Sequence, residues 1–201
     1  NTVSVIDLVQ TKEKQTVALD FIKDIAGKGG LVLLVGTRPA ARKVIVDVAE
    51  RTKMPYFVER WIGGTLTNFK VISQRVEYME RLEKEKAAGE FEKYTKKEKM
   101  KKEEEMAHLR KNFDGLRVMK RLPDAVFVVD IMHDDTAVRE ACRMKIPVIA
   151  LCDTNSNLDS VDYPIPSNDD ALPAVRYMVG RVGGAIEEGQ RAGVKLEEQK
   201  A

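Results

Sequence analysis

Two arginines and a lysine sit on one candidate strand-to-helix turn, Gly36-Thr37-Arg38-Pro39-Ala40-Ala41-Arg42-Lys43. Backbone N–H groups at the start of a helix point at oxyanions, so Arg38, Arg42 and Lys43 are placed to hold phosphate. The glycine spacing of a nucleotide-binding loop is missing, with neither G-x-x-x-x-G-K-[ST] nor G-x-G-x-x-G. These cations therefore read either as ligands for the phosphates of a larger partner or as plain surface charge. A second cationic set brackets Arg60-Trp61-Ile62-Gly63-Gly64-Thr65-Leu66-Thr67-Asn68-Phe69: Arg60 leads it, Lys70 follows it, and Arg75 lies about one turn further on. Trp61 beside Arg60 suits stacking on a partner, and equally suits the core. The adjacent glycines permit a sharp turn or the close approach of another backbone. A third set, Lys96-Lys97-Glu98-Lys99-Met100-Lys101-Lys102, has five lysines, and Glu103, Glu104 and Glu105 follow it. On spacing alone that run is a solvated helix face; the lysines are also candidate phosphate contacts.

Catalytic and metal chemistry is sparse. His108 and His133 have no second His or Cys at metal-binding spacing. Cys142 and Cys152 form no C-x-x-C and read as two reduced thiols in a core. There is no G-x-S-x-G elbow and no evident Cys–His pair. The carboxyl ends of parallel strands form the usual ligand crevice of an open α/β sheet. Asp153 and Asp169 could meet there and hold a hydrated Mg²⁺. The plainer alternative is that Asp153 ends a strand while Asn168 or Asp170 caps the last helix. No pattern requires a cofactor or a small-molecule substrate.

These residues need a frame, and hydrophobic periodicity supplies one. The 201 residues are 43% hydrophobic, enough for one good core without a second domain. Charged residues reach 33% against a typical ~25%, with the excess in the middle of the chain. A net charge of +2 points to local patches rather than a global field. No apolar run approaches the ~18 residues of a membrane span, and no signal peptide is visible. Val3 to Leu8 is a first apolar run. Thr11 is placed to cap a helix that carries Val17, Phe21, Ile22 and Ile25 inward and stops at Gly27, Gly29 and Gly30. Leu31–Val35 reads as a strand covered on both faces, and Ala41, Val44, Ile45, Val48 and Ala49 as a helical stripe. Pro55–Val58, Ala125–Val129 and Ile146–Leu151 read as further strands. Ala137, Val138, Ala141 and Cys142 face one helix inward, and Leu172, Val175, Val179, Val182 and Ile186 another. Pro164 and Pro166 stiffen the loop before that last helix, which the position of Pro173 starts close to Asp170. Alternating strands and helices with short links predict a parallel sheet between helices.

The middle segment breaks that pattern. Ile72, Val76, Met79 and Leu82 recur every three or four positions from Phe69 until Gly89. Thr95 and Glu98 then spell a capping box for a second helix carrying Met106, Leu109, Phe113 and Leu116. Gly115 near its end is a mild defect. Narrow apolar seams with charged flanks predict an antiparallel, coiled-coil-like hairpin projecting from the sheet. The expected division is residues 1–66 and 120–193 as the discontinuous sheet domain, 67–119 as the inserted hairpin, and 194–201 as a polar tail. Thr67 or Asn68 is expected to cap the first long helix.

Four collinear motifs resemble one family. They are Trp61–Phe69, Leu122-Pro123-Asp124-Ala125-Val126-Phe127-Val128-Val129-Asp130, Asp153-Thr154-Asn155, and Val161-Asp162-Tyr163-Pro164-Ile165-Pro166-Ser167-Asn168-Asp169-Asp170-Ala171. Together, in order from Ile6 to about Gly193, they resemble the second protein of the small ribosomal subunit, bacterial type. The resemblance implies a flavodoxin-like fold with an inserted hairpin and a non-enzymatic role in translation. It further implies binding to small-subunit ribosomal RNA and to other small-subunit proteins, including ribosomal protein S-one. The implied location is the ribosome of a bacterial cytoplasm or of an organelle. Family members usually carry a Gly-x-His-Phe-Gly-His segment before the position of Ile6, which these residues do not include. Ser167 stands where the family usually has Gly, Asn157-Leu158-Asp159 replaces a more usual Asp-Pro-Asp, and Pro173 is atypical. The rival expectation is a flavodoxin-like enzyme or phospho-ligand-binding protein using the crevice near Asp153.

Overall fold

The structure is a computed structural model, and it describes residues 5–154 and 156–198. Five parallel strands form one sheet in the order β2-β1-β3-β4-β5, with β1 Val32–Val35, β2 Tyr56–Phe57, β3 Ala125–Val128, β4 Val148–Cys152 and β5 Tyr163–Pro166. β1, β3 and β4 are buried along their whole length, as continuous apolar runs between two helical layers must be. Alternate residues face opposite layers. Val32, Leu34, Phe127 and Ile149 pack with α1 (Leu8–Gly27), α2 (Pro39–Thr52) and α6 (Leu172–Glu198). Leu33, Val35, Val126 and Val148 pack with α3 (Phe69–Ala87), α4 (Lys96–Phe113) and α5 (Asp135–Arg143). The arrangement is the flavodoxin-like α/β sandwich.

Several local expectations change. Helix α1 starts at Leu8, capped by Asp7, whose carboxylate accepts the Val9 N–H at 2.9 Å. Thr11 lies inside the helix, buried, and donates to the carbonyl of Pro166 at 2.8 Å. The inward face is Thr11, Gln15, Ala18, Ile22 and Ala26, which leaves Val17 57% exposed. Cys142 points outward from α5 and Leu172 is exposed at the first turn of α6. Val161–Pro166 is not simply a stiff loop, because Tyr163–Pro166 pairs with β4 as the sheet edge. Proline is tolerated there because no further strand needs its missing N–H. Ser167 is not among the described residues with positive φ, so the absent family glycine is no loss to the backbone.

α3 and α4 pack together around Ile72, Val76, Met79, Leu82, Met106, Leu109 and Phe113. Their ion pairs run in opposite numerical directions, Lys86–Glu103, Lys102–Glu85 and Arg110–Glu83, and Arg117–Glu83 and Lys120–Glu80 continue the trend beyond the end of α4. The two helices are therefore antiparallel. The Thr95–Glu98 capping box is present in full. Gly115 is not a defect. It lies in a 3₁₀ turn, Asp114–Leu116, pressed against β2, where a Cβ would fall inside contact distance of the Tyr56 carbonyl and 2.6 Å from its ring.

Glu83 ties the pair to the chain returning towards β3. Its two oxygens accept from Arg117 at 2.7 Å each, and Arg110 adds a third bond. The Arg117 bonds, reinforced by Arg110 against the opposing effect of burial, lower the Glu83 pKa from 4.5 to about 2. A depressed carboxylate stabilises the fold above its unfolded pKa and loses that effect as pH falls through the folded value. Glu83→Gln is therefore expected to lose about 2 kcal/mol at neutral pH. Urea midpoints at stepped pH should show the gap from the parent closing as pH falls from 4.5 towards about 2. A gap independent of pH would assign the loss to packing instead.

Candidate nucleic-acid interface

The segment from Trp61 to Thr67 is organised by a residue far away in sequence. Glu140 sits on α5 beside Ala137 and Ala141, on the helix's buried side, and is 8% exposed. One carboxylate oxygen accepts from Trp61 Nε1 at 3.1 Å and from the Gly64 N–H at 2.7 Å. The other accepts from the Leu66 N–H at 2.9 Å and from both the N–H and hydroxyl of Thr67 at 3.1 Å. Burial pushes the Glu140 carboxyl up, but the Thr67, Gly64 and Leu66 amides with the Trp61 indole outweigh it, so its pKa lies below the ordinary value. Gly64 has φ +93°, a conformation that favours glycine, and this turns its N–H onto the carboxylate.

This corrects the capping expectation. Asn68 occupies the N-cap position of α3 but makes no side-chain cap bond, and Thr67 is held by Glu140. Trp61 is half-buried. One side packs on Phe57, with ring centroids 4.9 Å apart at 51°, while the residue also lines an open cleft.

That cleft, 640 Å³ in volume, lies at the carboxyl ends of β1 and β3. These neighbouring strands flank the point where strand order reverses, the usual ligand position in such sheets. It is therefore not beside Asp153, which follows β4. Its walls include Arg42, Arg60, Trp61, His133 and Asp134. Thr37 donates its hydroxyl to Asp134 at 2.7 Å and its N–H at 3.3 Å. Burial raises the Asp134 pKa against those two bonds. Arg42 donates Nε to the Thr37 carbonyl at 2.8 Å, and its Nη1 stands 3.5 Å from Glu59.

Arg42, Arg60 and Trp61 thus meet in one place. Lys43, Lys70 and Arg75 are exposed and, like Arg60, have no ion-pair partner among the described residues. Arg38 differs. Its guanidinium is held by the buried Asp130 and by Asp170, and Asp130 also accepts the Met132 and His133 N–H groups at 2.9 Å. Asp169 is 5% exposed and its pKa is raised by burial, then by Asp130 and Asp153, with Arg38 opposing. The cation placed among these carboxylates is thus Arg38. Among the described residues no group of three or more His, Cys, Asp or Glu is placed to hold a metal ion. Asn168, rather than Asp170, makes the turn before α6, accepting from the Asp170 and Ala171 N–H groups at 3.0 and 2.7 Å. Lys96, Lys97 and Lys101 are exposed, whereas Lys102 pairs with Glu85 and lies 3.9 Å above the Tyr94 ring. α3 has 19 residues, so this lysine group stands about 28 Å along the helix from Lys70.

Residues 1–189 match the family model for ribosomal protein S2. The chain belongs to the ribosomal protein S2 family. It is 46% identical over 195 residues to the small ribosomal subunit protein uS2 of Thermus thermophilus, covering 93% of this chain and 76% of that protein. The uS2 of Dehalococcoides mccartyi is 42% identical over 192 residues (96% and 78%), and that of Roseiflexus castenholzii 42% over 190 (94% and 72%). The S2 resemblance carried by the four motifs is thereby established. None of those motifs contains Glu140, the residue that shapes this S2 chain's Gly-Gly segment. A carboxylate on an otherwise apolar helical stripe was the available signal. No helix among the described residues is long and apolar enough to cross a membrane.

Proposed function

We propose that the chain is a structural constituent of the small ribosomal subunit that binds small-subunit ribosomal RNA and neighbouring proteins, ribosomal protein S-one among them, in a bacterial cytoplasm. Membership of the S2 family carries this reading. The exposed cations Lys43, Arg60, Lys70 and Arg75, together with Arg42, supply its electrostatics. Contacts of this kind position a protein on structured RNA without reading sequence. The lysines at the start of α4 form a second, separate contact. The crevice near Asp153 suits phosphate poorly, because Asp130 and Asp153 place negative charge around Asp169.

Two measurements test the reading. The chain should co-sediment with small-subunit particles and retain ribosomal protein S-one in a pull-down from them. In filter binding, the charge reversal Lys43→Glu, Arg60→Glu, Lys70→Glu, Arg75→Glu should lower affinity for small-subunit RNA. The slope of log K against log salt should flatten by about 3–4, near 0.9 for each phosphate no longer neutralised. Unchanged affinity and slope would reject this face. Arg38 is left out because reversing it breaks an internal network instead.

A further inference from the structure

We infer that the cleft between the ends of β1 and β3 seats a single unpaired nucleotide of an RNA strand, its base against the indole of Trp61 and its phosphate on Arg60 and Arg42. This rests on the RNA-binding reading above and adds the unit bound and the groups that hold it.

The platform is pre-organised. The Trp61 ring is fixed at its nitrogen by Glu140, 3.1 Å away, and supported by Phe57 at 4.9 Å. It therefore loses little freedom when a base stacks on it, and base–aromatic stacking tolerates any base. The volume of 640 Å³ falls within the roughly 300–1,000 Å³ of small-ligand sites. At the mouth, a Cβ added to Gly63 would meet nothing within 4 Å, so the entrance beside the indole is open.

The charges converge on the same place. Arg60 is exposed and has no acidic partner among the described residues. Arg42 is held at the wall through its Nε bond to Thr37, with Glu59 3.5 Å from one terminal nitrogen. The carboxylates nearby are occupied: Asp134 is 3% exposed with both oxygens taken by Thr37, and Glu140 accepts five bonds. His133 lines the cleft as a further donor. An aromatic face beside a free guanidinium matches a base with its phosphate. A duplex keeps its bases stacked and offers no such unit.

Trp61 is the only tryptophan of the 201 residues, so its fluorescence reports on this cleft alone. The full chain is titrated with a short single-stranded oligoadenylate, a duplex RNA of equal length, AMP and polyglutamate. Binding to small-subunit RNA is followed separately by filter retention. The single strand should quench Trp61 saturably, and the duplex and polyglutamate should not. AMP should quench only at far higher concentration, because the strand engages additional cations through its other phosphates. Arg60→Ala should weaken the quenching titration and reduce its salt slope by about one. Equal quenching by AMP and the strand would assign the cleft to a free nucleotide and overturn the proposal, as would equal quenching by polyglutamate. Retention of small-subunit RNA with no quenching by the single strand would overturn the nucleotide seat while leaving the RNA-binding reading standing. Loss of retention itself would remove that reading instead.

Discussion

Replacing Glu140 with alanine lowers the stability of the chain by about 3–4 kcal/mol, because it leaves several donors without an acceptor. The Leu66 N–H is buried, and the Trp61 indole, the Gly64 N–H and Thr67 lie in the same half-buried loop. Each buried donor left unpaired costs about 1–3 kcal/mol, and exposure of the loop's outer side lets water satisfy part of the set. For a chain of this length the loss corresponds to a fall in Tm of about 10 °C. Glu140→Gln is no remedy, since its amide turns two donors towards N–H groups that need an acceptor. The pH dependence separates charge from shape. The folded pKa lies below the ordinary 4.5, so the stabilisation is complete above that value and disappears as pH falls through the folded pKa. The gap between the parent and Glu140→Gln, measured by thermal melting, should therefore be widest near neutrality and shrink in acid. A melting point for Glu140→Ala within about 1–2 °C of the parent, the size of a neutral surface change, would show that the loop holds its shape without the carboxylate. In Glu140→Ala, Trp61 emission should also move towards that of exposed indole, because the ring loses its tether.

Gly115→Ala is the second large effect, and its sign is the test. In a helix interior, alanine in place of glycine stabilises by about 0.5–1 kcal/mol. Here the added Cβ meets the backbone carbonyl and the ring of Tyr56 in β2. A backbone oxygen at the sheet edge cannot step aside as a flexible side chain can. The expected result is destabilisation of about 3 kcal/mol, at the upper end for an overpacked site. Chemical denaturation of the two proteins decides it: a higher midpoint for the alanine variant would mean that the turn does not press on β2. The strain acts where the chain leaving α4 turns back towards the sheet, so amide exchange should rise around Tyr56 and Leu116 before it rises in β3.

Much of this architecture was legible from residue spacing. Leu31–Val35 and Ala125–Val129 are unbroken apolar runs, and only a strand covered on both faces needs one. The stripe Ala41, Val44, Ile45, Val48, Ala49 is buried as predicted, and so are the seams of α3 and α4. These signals are local, arising within a turn or two of one element. The edge strand Tyr163–Pro166 was hidden because its prolines argue against a strand until a neighbour makes it an edge. The start of α1 was misplaced because Asp7 and Thr11 are both acceptable caps, and only packing against β5 and α6 chose the phase.

The candidate site divides in the same way. The cations and Trp61 could be named from their types, and the motif around Gly63 and Gly64 pointed to the family. Which cations stay free could not be read, because ion pairing is set by distance in space. Arg38 and Arg42 share one turn, yet Asp130 and Asp170 hold Arg38 while Arg42 reaches the cleft. Glu140 lies 73–79 residues from the groups it binds, and no periodicity links positions so far apart. Hydrophobic order along the chain thus determined the layers and the helical pair, and the four motifs pointed to the family. The tertiary structure decided which charges are neutralised, where the cleft opens and what holds Trp61, because these depend on side chains that meet only after the sheet has brought β1, β3 and α5 together.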